Sequence, residues 1–305
     1  MDLTPAQQET LEQIRPPSED RPRYRSTLRM DLRMRLEGEL VDTAETLDDS
    51  LWVSKRALQS VHGCEAMHEA EQDRPFEYTP PTARGQIFHK AVELSVHLGG
   101  KRQPLELVDE AMASLESSET KLADFLRTAG EVTRAELRSD IGSIMTAFTE
   151  TFPPLKMAWR PTTEAPKRAP LCSDKIMLHG RCDLTLGAPS DTTAGRVIIE
   201  LKTGAGNAAH RDDLRYYALL ETLVTGVPPL MLASFYVDAG RIETEMVTED
   251  LLEAAIRRTI AGVQRLGRLR QRGEVPRRVP GHPCKWCPIS DSCEPGSLWL
   301  EEQAY

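Results

Sequence analysis

No stretch of this 305-residue sequence is apolar for long enough to cross a bilayer. The first ten residues, MDLTPAQQET, are polar and charged, with none of the hydrophobic core of a secretory signal, so the sequence predicts a cytoplasmic protein in a reducing compartment. Internal repeats and low-complexity tracts are missing too. An excess of positive charge is also lacking: 38 Lys and Arg stand against 47 Asp and Glu, a formal net charge of −9, which on average argues against a polyanionic partner. What remains is an ordinary globular composition, 40% hydrophobic, able to fill the core of one large domain or two modest ones.

Six cysteines in a chain without an export signal favour a metal or free thiols over a disulfide framework. Cys284, Cys287 and Cys293 form a C-x2-C-x5-C run, PCKWCPISDSC, and Cys64 stands alone far upstream. Thiolates at these offsets can converge on one metal centre, with Cys64 as the fourth ligand. An iron-sulphur cluster is the favoured reading; a four-Cys zinc site and a set of buried free thiols are the alternatives. Cys172 and Cys182 read as plain core or strand residues.

The charge average hides two basic groups. Between Arg257 and Arg278 lie eight arginines (257, 258, 265, 268, 270, 272, 277 and 278) and one acid, Glu274. Arg21, Arg23, Arg25, Arg29, Arg33 and Arg35 form the second, against Asp31. Such patches track phosphates, although a solvated helix face has the same look.

Thr4-Pro5 opens a short helix with Gln7 at the capping-box position, and Pro16-Pro17 with Pro22 break it into a linker. Residues 28–36 alternate like a strand yet consist of helix formers, so pattern and propensity disagree. Helical periodicity follows at about 82–98, 105–117, 119–129 and 132–150. Strands and turns fill 153–203, a helix 208–225, a hairpin 230–246 through Asp238-Ala239-Gly240, and a long helix 249–272. The order helix, three strands, helix, strand predicts a mixed α/β core with a helical insertion at 101–152 and a Cys-rich tail at 280–296, all within 51–305. Residues 1–50 form an N-terminal extension of unassigned role.

The most chemical segment is HGRCDLTLGAPSDTTAGRVIIELKTG. Turn residues 188–195 centre a hairpin that places Asp183 opposite Glu200, and facing carboxylates repel unless a cation lies between them. Lys202 shares a strand face with Glu200, while Val197, Ile199 and Leu201 share the other. An exposed strand with a cross-strand salt bridge is the plainer reading. In the helix RGQIFHKAVEL, His89 is a candidate metal ligand, and Gly85, which costs a helix about 1 kcal/mol, suggests close approach to another element such as the carboxylate strands. The helix HRDDLRYYALLETL sets Tyr217 and Leu220 on one face beside Arg211 and Arg215.

Gly85 with His89, Gly180 with Asp183, Glu200 with Lys202, and the Tyr-Ala-Leu-Leu helix from Tyr217 together resemble the RecB-type branch of the PD-(D/E)XK nuclease superfamily. One early Cys, the nuclease motifs, then C-x2-C-x5-C is similar to its iron-sulphur members, such as the AddB nuclease domain and the CRISPR-associated adaptation nuclease. In that group the early Cys closes a helix after a Ser-led segment, as VSKRALQSVHGC does. The resemblance runs from Val53 to Pro295. It implies a restriction-endonuclease-like core and a [4Fe-4S] cluster on Cys64, Cys284, Cys287 and Cys293 that clasps the two ends of the nuclease domain. It further implies magnesium or manganese held by His89, Asp183, Glu200 and the Leu201 carbonyl, with Lys202 orienting water or stabilising negative charge. Substrate contacts fall to Tyr217, Arg211, Arg215, Arg265 and Arg268. The implied activity is metal-dependent DNA hydrolysis, exonucleolytic on single strands or duplex ends, in repair, recombination or defence, with a helicase or other DNA-processing partner.

One position departs from the family pattern. Where the family carries Gln, four residues before Tyr217, this chain has Asp213, which motivates a second reading as a weakly active or inactive DNA-binding subunit. A third reading, outside nucleic acids, is a zinc-stabilised interaction protein.

Overall fold

The computed structural model describes residues 3–15, 21–72, 74–98, 102–204, 209–271 and 273–303, with Ala209 and His210 described in backbone only. The Pro16-Pro17 linker expected from the sequence lies outside the described residues. Helix α1 (Pro5–Ile14) starts at a Thr4–Gln7 capping box, and α2 spans Leu28–Glu45. Helical period wins in α2: Leu28, Leu32, Leu36, Leu40 and Ala44, four apart, are buried, while Met30 and Met34 are exposed. A short strand β1 (Leu51–Val53), not anticipated from the sequence, leads into α3 (Lys55–Gly63), capped by Ser54 and closed by Cys64, and α4 (Glu65–Gln72).

Four helices then appear where periodicity places them: α5 (Pro80–His97), α6 (Pro104–Glu116), α7 (Lys121–Thr128) and α8 (Glu131–Thr151). Strands β2 (Thr162–Leu171), β3 (Ile176–Leu186) and β4 (Val197–Lys202) follow, then α9 (Ala209–Thr225) and the hairpin β5 (Met231–Tyr236) and β6 (Arg241–Met246). Helix α10 (Glu249–Leu269) ends short of residue 272, and α11 (Glu294–Glu302) begins directly after Cys293. No helix among the described residues is long and apolar enough to cross a membrane.

Among the described residues the strands form one six-stranded mixed sheet. The long strand β3 organises it. Antiparallel β2 runs along one edge, from Thr162 opposite Thr185 to Leu171 opposite Ile176. The other edge is shared: parallel β1 pairs with 176–178, and antiparallel β4 pairs with 184–186. Leu184 lies opposite Ile199, so the register is the one the hairpin reading predicts. Because β1 and β4 run toward each other, their C-terminal ends meet over residues 179–183, where neither pairs with β3. The Tyr216 hydroxyl stitches this gap, donating to the carbonyls of Val53 (2.7 Å) and His179 (3.0 Å).

Helix α9 packs on one face of the sheet and is itself covered by α10 and α2. Gly180 permits this contact, since a Cβ there would lie 2.5 Å from Tyr217 Cε1. Glu221 of α9, 1% exposed, forms ion pairs with Lys167 of β2 (2.5 Å) and with Arg196 just before β4, so a buried charge network pins helix to sheet. On β5, Phe235 meets Phe148 of α8 and Phe152 just after it, which ties the inserted helices to the core. The first fifty residues also join the body: Tyr24 donates to the Val247 carbonyl (2.7 Å), and α2 lies against α10.

Gly180→Ala is expected to destabilise the protein by about 1–3 kcal/mol, because the added methyl meets a ring fixed by the rest of α9. Urea unfolding checks this; a midpoint equal to that of the parent chain would show that Tyr217 moves freely away.

Candidate active site

The gap in the sheet gathers the titratable side chains. Asp183 sits on β3 just where β4 departs, and its Oδ2 accepts the Leu201 backbone N–H at 2.8 Å. That bond occupies an amide the missing ladder leaves free and fixes the carboxylate. His89, in the middle of α5, turns Nδ1 toward Asp183 Oδ1 (3.4 Å) and Glu164 Oε1 (3.2 Å). One donor atom each from His89, Glu164 and Asp183 lie within 4.8 Å of one another, a geometry able to hold a metal ion. Arg84, at the first turns of α5, donates to the Thr203 carbonyl at 3.0 Å and ties this helix to the end of β4.

Glu164 is the residue that sequence reasoning missed. It lies between Thr163, opposite Leu184, and Ala165, opposite Cys182, and so stands across from Asp183 on β2. Its φ is +50°, a left-handed backbone that costs a non-glycine residue about 1 kcal/mol or more and that gathers at functional sites. No local motif announces it; only the β2–β3 register brings it beside Asp183.

Glu200 is 4% exposed and belongs to a second group. Its Oε1 accepts from Lys202 (2.9 Å) and from Lys55, which reaches in from the first turn of α3. Its Oε2 is buried with no hydrogen-bond partner, an arrangement that costs about 1–3 kcal/mol unless another cation or donor completes it. With three carboxylates, one imidazole and this orphaned oxygen, the donor set suits a hard divalent cation.

Burial alone would lower the His89 pKa, but the Asp183 charge and hydrogen bonds to Asp183 and Glu164 outweigh it and raise it to about 10. Lys55 is likewise raised against burial, chiefly by Glu200. Asp213, on the first turns of α9, is pushed up to about 6 by burial, with Lys55 and Lys202 pulling the other way. The residue that replaces the family's Gln therefore lies within reach of both lysines' fields.

The remaining residues singled out from the sequence fall in different places. Gly85 has open space about it, so the expectation of close approach fails; the close approach is at Gly180. Tyr217 is 3% exposed, with Lys55 Nζ 5.0 Å from its ring centroid. Arg211 is exposed, and Arg215 is bidentate to Glu245. Arg268 pairs with Glu65 (2.8 Å) and Glu274 (3.4 Å), and Arg265 faces His62 and Glu65. Arg257, Arg258, Arg265 and Arg268 of the basic run thus meet acids of their own fold, and Arg270 reaches the Ser50 carbonyl; Arg272 lies outside the described residues.

Cys64, Cys284, Cys287 and Cys293 line one cavity with Met67, Val279, Pro283 and Ile289. Val279 N–H points at Cys64 Sγ and Gly281 N–H at Cys284 Sγ, each at 3.4 Å, the kind of donor that stabilises a thiolate. Burial first, then the neighbouring Cys64, Cys284 and Cys293, push the Cys287 thiol up. Glu65, next to Cys64 and 2% exposed, accepts the Arg277 N–H at 2.9 Å, so the tail is held to α4 by backbone contacts as well. Cys182 is a buried β3 residue and Cys172 a turn residue, both free.

A model of the PD-(D/E)XK nuclease superfamily matches residues 53–294. Two solved structures are similar to the chain. One is a protein of Eubacterium rectale provisionally described as an exonuclease, at 11% identity and a TM-score of 0.41, over 91% of this chain and 93% of that one. The other is SSO0001, at 13% identity and a TM-score of 0.31, over 87% of this chain and 96% of that one. No curated protein matches the sequence.

Because metal requires neutral imidazole, loading the site must displace the His89 proton. Titrating the metal-free protein with Mn2+ at pH 8 is expected to release about one proton per ion, measured calorimetrically in buffers of different ionisation enthalpy, and His89→Gln to abolish that release. Since the folded-state pKa of about 10 lies above the ordinary value of 6.5, the stability His89 gives the metal-free protein is full below pH 6.5 and is lost as pH rises toward 10. A melting temperature with the same fall over that interval in His89→Gln would contradict the assignment.

Proposed function

We propose a mode of action for this chain, which belongs to the PD-(D/E)XK nuclease superfamily and is a nuclease: it hydrolyses DNA with a divalent cation, acting on single strands or DNA ends. The observation that supports this reading is the convergence of His89, Asp183, Glu164, Glu200 and Lys202 at the gap in the sheet, with one Glu200 oxygen left without a partner. His89, Asp183 and Glu164 would hold the cation, with Glu200 and the Leu201 carbonyl beside them. Magnesium or manganese there would polarise the phosphodiester and make bound water more acidic.

The chain's own groups do the rest. The Leu201 amide orients Asp183, and Lys55 clamps Glu200 against Lys202. Lys202, two residues along the same strand from Glu200 and paired with it, would present a positive charge where negative charge develops on the phosphate during attack. Burial of Glu200 keeps bulk water from its oxygens and strengthens its interactions with both lysines.

A structural [4Fe-4S] cluster on Cys64, Cys284, Cys287 and Cys293, whose side chains line one cavity, is part of the same proposal. Cys64 is some 220 residues from its partners by sequence, so a centre shared with the tail closes a long loop, and its binding free energy adds to folding. The alternative reading, a weakly active or inactive DNA-binding subunit, rests on Asp213. Ionised, it neutralises part of the Lys55 and Lys202 field that a phosphate would meet.

Anaerobically purified protein, given end-labelled single- and double-stranded DNA with manganese, magnesium or chelator, tests the activity. Cleavage is expected only with metal, and Asp183→Ala or Lys202→Ala should lower its rate by at least about 100-fold while DNA binding persists. Metal-independent cleavage, or variants at the parent rate, would reject the assignment; binding without cleavage in every metal would favour the inactive subunit. Cys64→Ser, like Cys287→Ser, is expected to lose the brown visible absorption, lower the melting temperature and expose the tail to protease. Full iron and sulphide content with an unchanged melt in Cys64→Ser would place the fourth ligand elsewhere.

A further inference from the structure

The wing of the sheet formed by β1, β3 and β2 has one open face. Gly180 of β3 faces α9, so the alternating residues Met177, His179 and Arg181 point away from that helix, and their partners Pro166 and Arg168 on β2 share their side. Trp52 of β1, level with Met177, completes the row. Among the described residues no helix closes over them: Trp52 is 47% exposed, the Arg181 side chain is 60% exposed, and Arg168 and Pro166 are exposed.

A tryptophan left half in water at a sheet edge needs an explanation, because it forgoes most of what its burial would contribute. Here the ring is held in place rather than loose. The Arg168 guanidinium lies 5.3 Å from its centroid, and His179 meets it edge-on at 5.3 Å. The row also leads somewhere. Arg181 Nη1 is 3.8 Å from Glu164 Oε2, and Glu164 in turn touches His89 beside Asp183. From the level of Trp52 to Asp183 is six residues of β3, roughly 20 Å, a path several nucleotides long. Along it the side chains named carry two arginines, a histidine and an indole but no carboxylate until the site itself.

We infer that this open face is the approach track for a single strand of DNA, with Trp52 as the platform on which a base stacks and Arg168 and Arg181 as phosphate contacts that feed the backbone toward Asp183. The charge along the track suits a polyanion, and the exposed indole selects for single strands, since the base faces of a duplex are already stacked on one another. The inference rests on the nuclease reading for the direction in which the strand runs. It also assigns affinity to a surface that neither the basic run near Arg265 nor the group near Arg21 contains.

The test is built so that the two readings fail separately. Binding is measured without metal, in an Asp183→Asn background, by fluorescence anisotropy of a labelled oligothymidylate of about 15 nucleotides and of a blunt duplex. Trp52→Ala is expected to weaken single-strand binding about tenfold, and more than it weakens duplex binding. Arg168→Gln with Arg181→Gln should lower the slope of log K against log salt by about 1.4, the loss of two phosphate contacts on a single strand. A Trp52→Ala protein with an unchanged melting temperature and parental affinity, an unchanged salt slope in the arginine pair, or an equal loss on duplex would overturn the track. Absence of cleavage by the parent chain in every metal would instead overturn the nuclease reading and leave these binding results standing.

Discussion

One strand has to serve three partners. β3 is long enough to pair with β2 along one edge while β1 and β4 divide the other, and two strands approaching head to head on one edge cannot both continue the ladder. The residues between them therefore keep backbone groups that need partners from elsewhere. Tyr216 supplies a hydroxyl to two carbonyls, and Asp183 supplies a carboxylate to the Leu201 amide. The catalytic aspartate of this reading is thus also a structural cap, and the site lies where it does because the sheet is interrupted there.

Charge balance in the gap follows from that placement. Three carboxylates enter a partly buried space, and His89, Lys55 and Lys202 are the cations that offset them. The balance is uneven: one Glu200 oxygen has no partner, and Glu164 holds a left-handed backbone to stay beside Asp183. Such local costs persist only where surrounding structure enforces them, here the β2–β3 ladder on both sides of Glu164 and the Glu221 network beneath it. A divalent ion would relieve the repulsion and expel the imidazole proton in one step.

At the other end of the molecule the same logic works through sulphur. Cys64 closes α3, and Glu65 immediately after it holds the Arg277 amide and the Arg268 guanidinium, so the tail is fixed beside Cys64 by contacts other than the thiols. Arginines that look, in sequence, like a phosphate-binding run are here counter-charges to a buried acid. Surface charge in this protein is local: Arg35 pairs with Glu253, Arg215 with Glu245 and Arg268 with Glu65, all within the fold.

Periodicity and spacing in the amino-acid sequence determined the helices of the insertion, the β3–β4 register that sets Asp183 near Glu200, the pairing of Glu200 with Lys202, and the candidacy of His89 and of the four cysteines. These are local signals, carried by turns, capping residues and motifs a few positions apart. α2 was ambiguous because alternation over nine residues competes with helix propensity, and only burial at four-residue spacing decides it. β1, Glu164, Lys55 and Trp52 were invisible for one physical reason: each gains its role from a partner more than a hundred residues away, or, for Glu164, from a register across a separate hairpin. Tertiary structure alone decided that Lys55 shares Glu200, that Gly180 rather than Gly85 admits a helix, and that the arginines near Arg265 face carboxylates, because packing and ladder pairing, not sequence proximity, choose which charges meet.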